Sequence, residues 1–369
     1  MSWVELHSQS ERLAIEAETE RRAQNSGRAM DLYKRAAELE RAALDQLDPT
    51  KERTRGITAV SATALWFKAG EYAAAEQLAY AMLADSSIPD FAREDLRNLV
   101  QAIWTESSKR HAGITFLPGH VLVSVKGGEV ITGGAPLDLI VDKVQTIQSI
   151  FYRTVEFLSG LAHRKARVPP KELQDVCRPW LFQAAPGSYQ FSVAIQKPQQ
   201  ADFFKEDVDP ERIAVHFLEI VSASSSESTE ELTKLVPDEK YRDTFLKLTR
   251  NLAPTGKAFD RIEFRAPGEV RPVSLGVASR ANINQQLRSV IGPQAGSHVA
   301  AEELRGVLRA VHLDKDWLDV VVNGQSIHIV GLQDTVDDVI GPLVNRQVIV
   351  RVVRSRRKNP KFVDIELDE

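Results

Sequence analysis

The chain has 369 residues, 43% hydrophobic and 27% charged, which is ordinary for a globular protein and long enough for two or three separately cored domains. A formal net charge of -4 excludes wholesale attraction to nucleic acid or an anionic membrane, so any such binding has to come from a local patch. One cysteine, Cys177, excludes an intrachain disulfide framework and leaves no thiolate cluster for zinc.

The N-terminal run Met1 to His7 lacks a basic region followed by an apolar core, so no secretory signal is expected. No uncharged apolar run approaches the roughly 18 residues that a spanning helix needs. The expected location is the cytoplasm, with no membrane contact.

Residues 1–108 read as helices only, a helical repeat-like domain. A first helix is expected from Ser10 to Ala23. Ala29, Leu32, Tyr33, Ala36, Leu39, Ala43 and Leu47 then form a stripe at helical spacing that ends before Asp48-Pro49. A small-residue helix follows with Ala59, Ala62, Thr63, Leu65, Trp66 and Phe67. After Gly70-Glu71-Tyr72 comes a partner helix with Ala75, Leu78, Ala79 and Leu83. A last helix from Pro89 is expected to bury Phe91, Leu96, Leu99, Val100 and Ile103.

The stretch of about residues 56–89 resembles one tetratricopeptide-type repeat. Gly70 and Tyr72 match the turn positions, Ala75 the small packing residue and Leu83 the late apolar position. Departures are Ala59 at the usual tryptophan position, Thr63 near the helix contact and a late closing proline, Pro89. In that family the first helices line a groove for protein segments. The resemblance therefore implies a binding side made by Val60, Ala64, Phe67 and Lys68. The alternative is a plain bundle whose inner faces are all core.

Residues 112–292 read as a central α+β domain. Val121 to Val125 and Glu129 to Thr132, joined by Lys126-Gly127-Gly128, read as a hairpin; the glycines mark a turn, because no Lys-Ser or Lys-Thr follows as in a phosphate loop. Leu137, Ile140, Val144, Ile147, Phe151, Leu158 and Leu161 recur in steps of three and four, which predicts a long amphipathic helix as the spine of this domain. Further helices are expected at Pro170 to Ala184, Pro210 to Ser222, Thr229 to Leu235, Asp238 to Leu252 and Asn282 to Ile291. Strands are expected at Tyr189 to Ile195, Arg261 to Arg265 and Val270 to Leu275, and Ser222 to Ser228 reads as a loop.

Gly292 to Ser297 reads as a linker, and residues 300–369 as a small SH3-like or OB-like β-barrel of five short strands, with Asn323-Gly324 as its clearest hairpin turn. The fold class is thus a multi-domain α+β chain.

Arg351, Arg354, Arg356, Arg357 and Lys358 give the last hairpin a basic run that suits contact with nucleic-acid phosphates. Across residues 300–369, however, acids outnumber bases by 12 to 10, and Trp317 and Phe362 are the only aromatics. A second basic cluster, His163-Arg164-Lys165, follows the spine helix, where the helix dipole attracts cations without any ligand. Cys177, His163 and Asp175 are the one thiol, imidazole and carboxylate set in reach of each other by sequence. Asp260, Glu263 and Arg265 resemble a nuclease carboxylate pattern, with arginine where such sites use lysine. Neither set carries a recognisable signature, so no catalytic residue, metal or cofactor is expected.

These features predict a non-enzymatic protein-binding or adaptor protein, an accessory subunit of a bacterial multi-protein, defence-type system. The alternatives are a nucleic-acid-binding accessory subunit and, behind it, a hydrolase or nuclease with its site in the central domain. Oligomeric state and partner identity are not legible.

Overall fold

Small residues decide how the N-terminal helices meet. In the computed structural model, which describes all but residues 1, 24, 112–115, 118–119, 132–133, 166–167, 183–188, 198–211, 267–271, 291–301, 333–336, 356–357 and 369, the first part is a run of helices packed against one another. They are α1 (Trp3–Arg22), α2 (Ser26–Asp45), α3 (Glu52–Lys68), α4 (Tyr72–Ala84) and α5 (Asp90–His111). Ala17, Ala36, Ala37, Ala59, Ala62, Ala75, Ala79 and Ala92 are all fully buried between them, letting backbones approach closely.

α1 starts seven residues earlier than the apolar pattern predicts. Ser2 and Glu5 form a reciprocal capping box that satisfies the first amides. α5 differs too, because Phe91 is exposed and the burial falls to Ala92, Leu96, Val100 and Ile103.

The chain divides into two compact units, Met1–Ile114 with Phe182–Gly187, and Thr115–Leu181 with Ser188–Glu369. The second unit is mixed α+β. Its strands β1 (Val121–Lys126), β2 (Pro179–Phe182), β3 (Tyr189–Ile195), β4 (Arg261–Arg265) and β5 (Val273–Gly276) form a sheet in the order β2-β3-β1-β4-β5. β1 is central and antiparallel to both neighbours, with Val123 opposite Phe191 on one side and Phe264 on the other.

Among the described residues, Glu129 to Ile131 do not pair with β1 as the expected hairpin requires. Gly127 and Gly128 do turn the chain, with φ of 79° and 63°, but the Glu129 amide donates to the Ala258 carbonyl at 2.9 Å instead of returning along β1. A β-carbon on Gly128 would lie 2.4 Å from that same carbonyl oxygen, so the position requires glycine on two counts.

Helices α6 (Leu137–Leu158), α7 (Lys171–Val176), α8 (Ile213–Ser225), α9 (Thr229–Leu235), α10 (Glu239–Leu252) and α11 (Val277–Val290) accompany this sheet. α6 is the predicted spine: Ile140, Ile147, Ile150, Phe151 and Val155 join Val121, Val123, Val125, Phe191 and Phe264 in one apolar cluster. Leu137 and Leu161, the ends of the predicted stripe, are exposed: Leu137 is the first residue of α6, and Leu161 lies beyond its last, Leu158. The helix expected from Pro170 stops at Val176, and the chain then extends as β2. α8 continues to Ser225, so half of the serine-rich stretch is helix.

Beyond residue 301 the strands β6 (Glu302–His312), β7 (Trp317–Val322), β8 (Gln325–Val330), β9 (Gln347–Ser355) and β10 (Lys358–Leu367) close into a barrel in the order β10-β8-β7-β6-β9. Asn323 and Gly324 have φ of 51° and 82°, the left-handed pair that a two-residue hairpin between β7 and β8 needs. A short helix, α12 (Asp337–Ile340), separates β8 from β9. The predicted linker at 292–297 lies outside the described residues. No described helix is long and apolar enough to cross a membrane.

Candidate functional site

The candidate groove residues lie on one side of α3. Val60, Ala64, Phe67 and Lys68 fall at steps of three and four from one another, Lys68 four beyond Ala64, which keeps them on one helical face; Ile57, three before Val60, is not among the expected residues but shares that face. Ile57 is 50% exposed and Lys68 is exposed, while Val60, Ala64 and Phe67 are half-buried. Val60 leans on the cluster of Ala79 of α4, Ile88 of the following turn, and Ala92 and Leu96 of α5. Phe67 meets Tyr72 with tilted rings whose centroids are 5.7 Å apart, and the Lys68 ammonium lies 5.3 Å from the centre of the Tyr33 ring.

At the other end stands Phe91, 45% exposed. A β-carbon on Gly56 would meet the tip of its ring at 3.6 Å, so the ring lies against the α3 backbone next to Ile57. Along this face of α3 the exposed Ile57 is followed by the half-buried Val60, Ser61, Ala64 and Phe67. Phe91 shares the outer face of α5 with Glu94 and Asp95, three and four residues on, while Ala92 holds the buried register four residues before Leu96.

The basic strand of the barrel is committed elsewhere. Arg351 donates to Glu303 at 3.2 Å and to Glu366 at 3.2 Å, and its guanidinium lies 3.7 Å from Asp364. Arg354, more exposed, pairs with Glu302 at 2.7 Å across the β6–β9 ladder. Arg356, Arg357 and the side chain of Lys358 fall outside the described residues.

The thiol and imidazole singled out as a reactive set are each accounted for by packing. Cys177 is fully buried in the apolar cluster, and burial pushes its thiol up to about 12, which leaves no thiolate at neutral pH. His163 shares a 2.9 Å hydrogen bond with the Thr244 hydroxyl and meets Tyr241 edge-on at 5.0 Å. Burial, seconded by the Arg153 charge, lowers its pKa to about 4. Glu263 accepts from Lys126 at 2.9 Å and pairs with Arg261 at 3.0 Å, so cations from β1 and β4 neutralise it. Among the described residues no group of three or more histidine, cysteine or acidic side chains could hold a metal ion.

What sequence reading did not find is a buried charge network. Arg153 on α6 is wholly buried and reaches Asp338 of α12 at 2.7 Å; its guanidinium also donates to the Arg164 carbonyl at 2.7 Å. Arg164 in turn pairs with Glu156. Burial raises the pKa of both Glu156 and Asp338 despite these arginines. On α10, Arg250 forks onto Asp364 at 2.5 and 3.0 Å and donates to the Ile365 carbonyl at 2.6 Å. Burial alone would raise Asp364, but the Arg250 fork wins and holds its carboxyl below the usual range. No spacing rule announces such residues, because an arginine at a helix position reads as solvated until its neighbours are known.

A second, open groove of about 700 Å³ runs between α8, α9 and β5, lined by Val215, Leu218, Leu235 and Val273 together with Glu219, Glu231 and Lys234. Set against known proteins, the chain matches no protein-family model, no curated protein and no solved structure.

Proposed function

We propose that the protein is a non-enzymatic adaptor whose N-terminal helices carry the surface that receives a segment of another protein. What carries this reading is a pair of large apolar side chains that the fold leaves about half exposed, Ile57 of α3 and Phe91 of α5, whose ring lies against Gly56, with the small Ser61 and Ala64 further along α3. Large apolar groups flanking small ones give a partner helix or strand both anchor points and room for its backbone. On this reading α3 and α4 are the tetratricopeptide-type hairpin, with Gly70 at a φ of 74° in the turn and Ala75 fully buried behind it.

The chemistry elsewhere supports the same choice. Cys177 is buried, Glu263 is paired with Lys126 and Arg261, and Arg351 is held by Glu303 and Glu366. Cross-linked complexes recovered from cells with the full chain, and with an Ile57→Asp, Phe91→Asp variant of it, test the proposal. A shared set of partners lost in the variant supports it; identical sets refute it.

A further inference from the structure

The barrel has an apolar core of its own, built on Leu308, Leu318, Val320, Ile329, Val348 and Val350, beside the cluster under the five-stranded sheet. By sequence it reads as a separate module. Two short stretches of it belong to both parts at once.

The first is α12, a helix of four residues. Asp338 turns its carboxylate to Arg153 and to the Ser149 hydroxyl of α6, Val339 joins the core of the sheet, and Ile340 joins the core of the barrel. None of the three is more than 3% exposed. Just before them the Asp337 amide donates to the Lys165 carbonyl at 2.9 Å. So short a helix does not hold itself by hydrogen bonding, and α12 keeps its shape only between the two cores that receive it.

The second is the end of β10. Ile365 lies in the barrel core, while Asp364 and Glu366 point from the opposite face of the strand. Asp364 takes the fork of Arg250 from α10, and Glu366 takes Arg280 from α11 at 2.9 Å. Arg280 also donates to the α10 carbonyls of Arg250 at 2.9 Å and Ala253 at 3.2 Å, so one side chain ties α10, α11 and β10 together.

The counter-charges are crossed. Asp338 of the barrel segment is neutralised by Arg153 and Arg164 of the helical body, and Arg250 of the body by Asp364 of the barrel. An arrangement that buried either group without its partner would be strongly destabilised.

We infer that the barrel and the α+β body are one cooperative folding unit, interlocked through α12 and β10, and that the barrel is not a detachable domain. A loss of packing deep in either core is then felt in full by the other.

Hydrogen exchange of the full chain under native conditions, read by mass spectrometry, tests this with two mild substitutions. Ile329→Val thins the barrel core and Ile147→Val the core of the sheet, at side chains that are both fully buried. Each removes one methyl group, which speeds exchange through global opening about fivefold. The interlock predicts that the slowest amides of β1 and α10 and those of β7 and β9 accelerate by the same factor in both variants. If Ile329→Val accelerates only the barrel amides, or Ile147→Val only those of the body, the two parts open independently and the interlock is wrong.

Discussion

Arg250 and Asp364, 114 residues apart in the chain, meet in a two-pronged ion pair with both side chains almost wholly out of water. The pair ties α10 to β10, and the Ile365 carbonyl takes a further bond from the same guanidinium. Removing one partner leaves the other charged, buried and short of hydrogen bonds. Arg250→Met is therefore expected to lower stability in urea by roughly 3–5 kcal/mol, while the double variant Arg250→Met, Asp364→Leu regains much of that loss. A single variant as stable as the parent would show that water reaches the pair.

His163 makes stability depend on pH in a defined window. Its pKa is about 6.5 when unfolded and about 4 when folded, so between these values the unfolded chain binds a proton that the folded chain does not. Stability should fall as the pH drops from 6.5 and level off near 4. His163→Gln keeps a hydrogen-bonding group near Thr244 and removes that contribution to the slope, so denaturant midpoints across the window should vary less. An unchanged slope would place the titration on another group.

Cys177 should be inert. With no exposed surface and a thiol raised to about 12, it is expected to resist iodoacetamide at pH 8 in the folded chain and to react at once in denaturant. Rapid labelling of the folded protein would reopen a reactive role.

Much of this architecture is legible in the sequence, for reasons that can be named. α6 and α10 declare themselves because their apolar residues recur at helical spacing, and the barrel hairpin because Asn323-Gly324 fits one turn type. The segment after Gly128 was not legible: a glycine pair between apolar runs signals a hairpin, and only the Ala258 carbonyl, 130 positions along the chain, shows where the chain goes instead. Phe91 reads as core because it is large and apolar, yet the small Ala92 beside it holds the register that Leu96 and Val100 continue, which leaves the ring on the side of Glu94 and Asp95. The buried arginines are least legible of all, since their partners Asp338 and Asp364 belong to another part of the chain.

The glycine turn supplies a further check. Gly128→Ala places a β-carbon against the Ala258 carbonyl and asks alanine for a φ of 63°, so a loss of at least about 1–3 kcal/mol in thermal or urea unfolding is expected. A neutral effect would mean that the turn rearranges freely.

The basic strand gives the opposite kind of outcome from the one its charge implies. Arg351→Gln should loosen the barrel, because it removes the counter-charge of Glu366 and Glu303, whereas Arg354→Gln at the exposed pair should change stability by less than about 1 kcal/mol. Neither should alter retention on a DNA or RNA column at physiological salt. A salt-sensitive loss of retention in the Arg354 variant would favour the nucleic-acid role instead.

The most direct measurement of the central claim is a comparison of cross-linked partners captured by the parent chain and by the Ile57→Asp, Phe91→Asp variant, both with helix signal intact. The account predicts that a defined set of proteins disappears with the two side chains. Full retention of that set would contradict it, and the patch of Ile57 and Phe91 would be an ordinary stretch of surface.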